Sequence, residues 1–227
     1  MKYKLIELNS YPRRSHFEYF SAMSNPYVGI TVEVEITDFL RTVKRTKSPF
    51  FLSFLYCVVR AANSVPELRQ RILDGQPIEY DHCLSSHTVM KEDGTYRYCC
   101  LNCMQDFNEY IAEAVPLHEK AKYNENLEEG EDPLNHFFVS CIPWIHYSGL
   151  TQPTPSPADS NVRIVWGKYT ENDKSRVSIP VTLLANHALV DGIHLARFYD
   201  ELNVQLGTLT DILSTLNPIP SSLTQPF

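Results

Sequence analysis

The chain has 227 residues and a mass of 26.1 kDa, which is one large domain or two small ones by ordinary domain sizes. Apolar residues make up 43% and charged residues 21%, which excludes a disordered chain; a fold this long buries roughly 70% of its unfolded surface without needing disulfides or a metal. Twenty Lys+Arg against 27 Asp+Glu give a net charge of -7, which argues against nonspecific nucleic-acid binding but leaves room for a local basic pocket on one phosphorylated cofactor.

The opening segment MKYKLIELNSYPRR has neither the apolar core nor the small-residue cleavage site of a signal peptide. Arg13 to Phe17 follows, and Ser15 is positioned to cap a short helix over His16 to Met23. Val32, Glu33, Val34, Glu35 and Ile36 alternate with the period of a strand that has one wet face. Asp38 reads as the cap of a helix over Phe39 to Lys47. Pro49 opens the next helix, Phe50 to Asn63, which is apolar on nearly every side and must be covered all round. The apolar run from Pro49 to Ala62 is too short for a membrane span and carries Arg60.

Asp74-Gly75 marks a turn, followed by a strand or loop up to Met90. Asp93-Gly94 marks a hairpin leading into a strand over Tyr96 to Cys100. Asp106 to Asn126 reads as an amphipathic helix that Pro116 should kink or interrupt, and Asn124 to Asp132 as an acidic exposed loop. Phe137 to Ile142 is a strongly apolar strand. Prolines 153, 155 and 157 mark a surface loop between it and two strands, Val162 to Tyr169 and Val177 to Ala185. The last helix runs from about Gly192 to Asn203, with Leu195, Tyr199 and Leu202 on one stripe. Residues 209–227 form a Pro/Ser/Thr-rich peripheral tail, expected to end in a short ordered helix and then a loose terminus. The expected fold is α/β, one domain over 1–227, a sandwich with antiparallel hairpins and no regular βαβ spacing. Neither G-x-G-x-x-G nor G-x-x-x-x-G-K-[ST] is present.

The most informative string is Asn186-His187-Ala188-Leu189-Val190-Asp191-Gly192, set between an apolar strand and an amphipathic helix. An imidazole delivered at a strand end is held in place and can serve as a general base. Asp191 can cap the helix, accept a bond from an arginine, or orient the loop. The alternative is a satisfied core histidine followed by a plain helix cap. Cys99-Cys100-x-x-Cys103, with His82, Cys83 and His87 upstream, has the spacing of half a zinc site, but the cysteines are scattered through apolar segments and no metal is expected. Without an export signal the six cysteines read as thiols of a reducing cytoplasm.

His-x-x-x-Asp-Gly with its flanks over Val181 to Leu202 resembles the signature of the chloramphenicol acetyltransferases, within a wider group of coenzyme-A-dependent acyltransferases. Ordered matches extend along the chain: Arg13 to Glu18, Ile36 to Leu40, the Phe50 helix, Glu67-Leu68-Arg69 with Asp74-Gly75, Phe138 to Trp144, Asp159, and Gly167-Lys168-Tyr169. The resemblance implies a two-layer α/β fold with a mostly antiparallel mixed sheet, a homotrimer, and active sites between subunits. It implies acetyl transfer from acetyl-CoA to a hydroxyl of a small acceptor such as chloramphenicol, an antibiotic-resistance activity, with no acyl-enzyme. His187 falls on the family's base and Asp191 on its aspartate, with Arg14 taken as the arginine paired to it. The family histidine's tautomer is set by its own backbone carbonyl. Phe20, Met23 and Tyr27 fall near the acceptor side, and Lys168 and Tyr169 beside the coenzyme side. His146 lies in a loop that could face the pocket.

The sequence departs from the family in three places. The residue before the base is Asn186, where a second histidine is usual. The serine that stabilises the oxyanion falls on Gly149, with Ser148 one residue early, so a shifted Ser148 hydroxyl or the Gly149 N–H would have to substitute. A water-ordering threonine falls on Val165. Losing one such donor typically costs about 3 kcal/mol, roughly a hundredfold in rate. Other acceptors, or a ligand-binding protein with weak chemistry, are therefore the alternative readings.

Overall fold

A computed structural model describes residues 2–123, 132–155 and 157–215. In chain order the elements are β1 (Tyr3–Leu5), α1 (Arg14–Ser21), β2 (Tyr27–Glu35), α2 (Thr37–Thr46), α3 (Phe50–Ser64), β3 (Gln70–Leu73), β4 (Gln76–Tyr80), β5 (Leu84–Met90), β6 (Tyr96–Leu101), α4 (Phe107–Ala121), β7 (His136–Cys141), β8 (Arg163–Trp166), β9 (Thr170–Glu171), β10 (Val177–Asn186) and α5 (Gly192–Thr215). The main sheet runs β2-β10-β8-β7-β5-β6 with β9 on the end of β10, and β1-β4-β3 forms a small second sheet. Only the β5/β7 and β7/β8 pairs are parallel; the rest are antiparallel. This is the mixed, mostly antiparallel sheet expected.

The helices line one face of the sheet. α3 packs against α2, α4 and α5, which explains why it has no polar stripe, and its Phe54 meets Trp166 of β8 edge-on at 5.1 Å. β10, buried along most of its length, lies between β2 and β8 and carries the chain straight to His187.

Several boundaries differ from the sequence reading. Ser15 lies inside α1 and caps nothing; Arg13 occupies the position before the helix. Ile36, not Asp38, precedes α2, and Asp38 pairs within the helix with Arg41. α4 passes through Pro116 without a break. Pro116 and Ala112, whose carbonyl a proline cannot satisfy, both face solvent, so that carbonyl is open to water and the missing bond costs little. The strand expected to reach Tyr169 stops at Trp166, because the loop after β7 crosses over Gly167. A side chain there would stand 2.8 Å from the Ile145 carbonyl and 2.9 Å from the Tyr147 ring.

The last helix does not stop near Asn203: α5 runs unbroken to Thr215, so the short helix expected in the tail is its continuation, and Leu206, Leu209 and Leu213 extend the stripe of Leu195, Phe198 and Leu202 into the core. Thr and Ser in that stretch return their hydroxyls to carbonyls of the preceding turn, so a polar composition did not stop the helix. The acidic stretch 124–131 and residues 216–227 lie outside the described residues.

Candidate functional site

The site forms where β10 ends. Asn186 ties off the strand: its side-chain amide donates to the Asp159 carbonyl (3.0 Å), and its side-chain oxygen accepts the Ala188 N–H (3.0 Å). Its backbone carbonyl accepts the N–H groups of Leu189 and Val190, closing a tight turn. His187 N–H donates to Pro26 O at 2.8 Å, so the histidine is fixed at its backbone.

His187 Nδ1 lies 2.8 Å from the Val190 carbonyl oxygen. A carbonyl only accepts, so Nδ1 carries the hydrogen and Nε2 keeps its lone pair. The expectation that the ring bonds its own carbonyl is corrected here: the His187 carbonyl is taken by Arg13 at 3.1 Å. The imidazole stacks on Phe20, with centroids 3.9 Å apart and planes 16° from parallel. Among the described residues nothing bonds Nε2. Such a group can take a proton from a bound hydroxyl.

The arginine of the ion pair is Arg13, not Arg14. Arg13 Nη1 donates to Asp191 Oδ2 at 3.0 Å, and Nη2 donates to the His187 and Val190 carbonyls. Arg14 begins α1, so its side chain runs along that helix to Glu18 at 2.8 Å and to Asn9. The residue just before the helix is the one turned toward the loop. The Arg13 guanidinium, then the Gly192 N–H, hold the Asp191 carboxyl below its usual range.

Of the residues expected on the acceptor side, Phe20 touches His187 and Met23 is exposed close by in sequence. Tyr27 is committed elsewhere: its hydroxyl is bonded to Asp159 and Arg163, and donates to the Asn161 carbonyl at 2.8 Å. Arg163 holds Asp159 with two bonds of 2.7 and 2.8 Å. Tyr27 therefore braces the sheet edge under Asn186.

A second group of expected residues lies away from His187. His146 Nδ1 sits 3.1 Å from the Lys168 carbonyl and Nε2 3.2 Å from Glu33, so the ring fastens its loop to the segment after β8 and to β2. Ser148 and Gly149 are exposed in the same loop, and the space where a Gly149 side chain would stand is open. Tyr147 reaches inward, donating to Val165 O at 2.8 Å and accepting from Thr182 at 3.1 Å. Tyr169 packs on Phe50 at 5.7 Å under the Lys44 ammonium, and Lys168 is exposed beside it, leaving a cationic and aromatic surface. His187 lies five positions beyond Thr182 in the chain, about 17 Å of extended backbone. Within one chain the base and this second group stay apart.

The zinc spacing does not come together. His87 turns to His118, and Cys83 takes a bond from buried Arg71; among the described residues no three His, Cys, Asp or Glu groups converge on a cation position. None of the six cysteines forms a disulfide. Burial pushes the Cys99, Cys103 and Cys141 thiols up to about 12. No helix among the described residues is long and apolar enough to cross a membrane.

Sequence reading missed Arg13, which differs from its neighbour only by its place before a helix. It also missed His194, whose Nδ1 accepts the Asp191 N–H at 2.8 Å, and Glu67, whose Oε1 faces His194 Nε2 at 3.5 Å. The spacing of Asp191 and His194 is that of a helix cap and the third residue after it, the one available signal.

The profile of the family described as Chloramphenicol acetyltransferase matches residues 1–203. A chloramphenicol acetyltransferase of Klebsiella sp is 29% identical over 205 residues, covering 88% of this chain and 92% of its own. A solved chloramphenicol acetyltransferase superposes with a TM-score of 0.78 at 26% identity, over 90% of this chain and all of that one. The dihydrolipoamide acetyltransferase of Azotobacter vinelandii shares the fold, with a TM-score of 0.63 at 19% identity over 88% of each chain.

Proposed function

The chain belongs to the chloramphenicol acetyltransferase family, an acyl-CoA-dependent transferase at that level, and on that premise we propose that it moves an acetyl group to a hydroxyl of a small acceptor, chloramphenicol first among them. One observation carries the reading. His187 is anchored at Nδ1 by the Val190 carbonyl, which leaves the Nε2 lone pair facing outward from the strand end.

Acetyl-CoA supplies the thioester. His187 Nε2 takes the proton of the acceptor hydroxyl as its oxygen attacks the acetyl carbonyl, and the imidazolium returns that proton to the departing sulfur. Arg13 and Asp191 keep the turn rigid and do not enter the proton transfer. Phe20 supports the acceptor with its ring, and Met23 lies beside it. Lys168 with Lys44 suits phosphate, and Tyr169 on Phe50 suits a planar base, so this surface fits the coenzyme. Ser148 Oγ or the Gly149 N–H bonds the oxygen on which negative charge gathers.

The separation of His187 from Ser148 and Lys168 within one chain supports an assembly in which one copy's base works against its neighbour's loop. We read the assembly as a homotrimer with one site per interface, one catalytic domain per chain, in a reducing cytoplasm. A second reading has a specific basis: Gly149 and Val165 lack the hydroxyls the family uses, which favours a different acceptor or slow turnover.

Thiol release from acetyl-CoA, with and without chloramphenicol, tests the reading. Chloramphenicol-dependent release that disappears in His187→Ala is the expected outcome. Release absent from folded, trimeric wild type rules chloramphenicol out and passes the question to a panel of other small alcohols and amines.

A further inference from the structure

The peptide between Val190 and Asp191 is bonded on both sides by imidazoles. Its carbonyl oxygen lies 2.8 Å from His187 Nδ1, and its N–H donates to His194 Nδ1, also at 2.8 Å. Arg13 Nη2 adds a second bond to the same carbonyl at 3.0 Å. An N–H can donate only to a bare nitrogen, so His194 carries its hydrogen on Nε2. That atom faces Glu67 Oε1 at 3.5 Å. Glu67 belongs to the turn Pro66–Arg69 directly after α3, so it rests on the most deeply packed helix of the chain.

His194 is buried, and burial holds its imidazole below the ordinary range, against the opposing pull of Glu67. Its neutral form is the one able to accept from Asp191. Hydrogen bonds on the two sides of one amide polarise each other, so the bond at the N–H makes the carbonyl a better acceptor for His187. His194 also ties the start of α5 back onto Asp191, whose carbonyl receives the N–H of His194 and of Leu195.

We propose that His194 is a positioning residue for His187, acting through the Val190–Asp191 peptide, with Glu67 holding the His194 ring from its other nitrogen. The chain of contacts runs from Glu67 to His194, through the peptide, to the base. It rests on the reading of His187 as that base. It adds a control on its orientation separate from the Arg13–Asp191 pair.

The test compares His194→Asn, whose side-chain oxygen can stand where Nδ1 stood, with His194→Leu, which accepts nothing. Loss of one hydrogen bond at the peptide is expected to lower kcat about tenfold in His194→Leu, with KM for both substrates little changed. His194→Asn is expected to keep kcat within about threefold of wild type. Nitrogen NMR of the His187 ring gives a readout independent of turnover: its Nδ1–H signal should move in His194→Leu and stay in His194→Asn. If wild type turns over no acceptor, these signals still decide the positioning while the enzyme reading alone fails. Unchanged His187 signals in His194→Leu, or equal losses in the two variants, overturn the proposal. If His194→Leu does not fold, Glu67→Leu against Glu67→Gln replaces it: the first should move the His194 ring signals and, through the peptide, the His187 Nδ1–H signal, and the second should leave both in place. Unchanged His187 signals in Glu67→Leu overturn the proposal.

Discussion

His87 lies within a strand of the main sheet and His187 just past the end of another, and only the second stands where the proposed base would have to stand. His87 lies in the middle of β5, fully buried, with its Nε2 3.0 Å from His118 Nδ1 on α4 and Phe51 packed against both rings. His87 Nδ1 is buried and has no partner among the described residues, which costs less as a bare nitrogen than as an unpaired N–H; His87 Nε2–H is therefore the donor to His118. His187 stands one residue beyond the end of β10, where a strand gives way to a turn and a ring can face outward while its other nitrogen is held. Position along a strand decides whether a histidine is sealed or presented.

The largest expected effect that would sharpen this contrast is in the open region. Arg13→Leu strips bonds from two carbonyls and a carboxylate and should cost about 3 kcal/mol in transition-state stabilisation, roughly a hundredfold in kcat. Arg14→Leu should leave kcat unchanged and move stability by less than about 0.5 kcal/mol, as an exposed helix pair does. Equal effects of the two on steady-state rates would break the assignment. Gly149→Ser has open space for its side chain and should raise kcat by up to about a hundredfold if the missing hydroxyl is what limits turnover. No gain would show that the loop finds its donor elsewhere.

In the sealed region His87→Ala should lower unfolding free energy by about 2–4 kcal/mol, as other large-to-small core changes do, with kcat of the folded protein preserved. The pH dependence is smaller. Burial lowers the proton affinity of both His87 and His118; Lys122 lowers that of His118 further, and Glu119 opposes it. The unfolded chain takes up protons first, near pH 6.5, so stability is fully present above that value and is lost as pH falls toward the folded values. His136 and His194 are shifted the same way, so replacing His118 by Leu should flatten the slope of stability between about pH 6.5 and 5 only in part. A slope unchanged by that substitution in denaturant titrations would contradict the pairing.

Much of this was readable from the residues. The apolar α3, the Asp74-Gly75 turn, with φ of 50° and 75°, and β10 leading into His187 followed from periodicity and turn chemistry. What failed had local causes. Arg13 and Arg14 are identical in type, and only the helix boundary between them assigns the ion pair. The continuity of α5 beyond Asn203 hid behind Thr and Ser, whose hydroxyls bond back to their own helix. His118 and His87 are far apart in sequence, and a helix crossing a strand leaves no periodic mark on either.

The most direct measurement is single-turnover thiol release from acetyl-CoA in His187→Ala and in His87→Ala, each corrected for the folded fraction. Loss of about a thousandfold in the first, with the wild-type rate kept in the second, is expected of a presented base and a sealed pair. A His187→Ala protein that turns over like wild type would contradict the placement of the base.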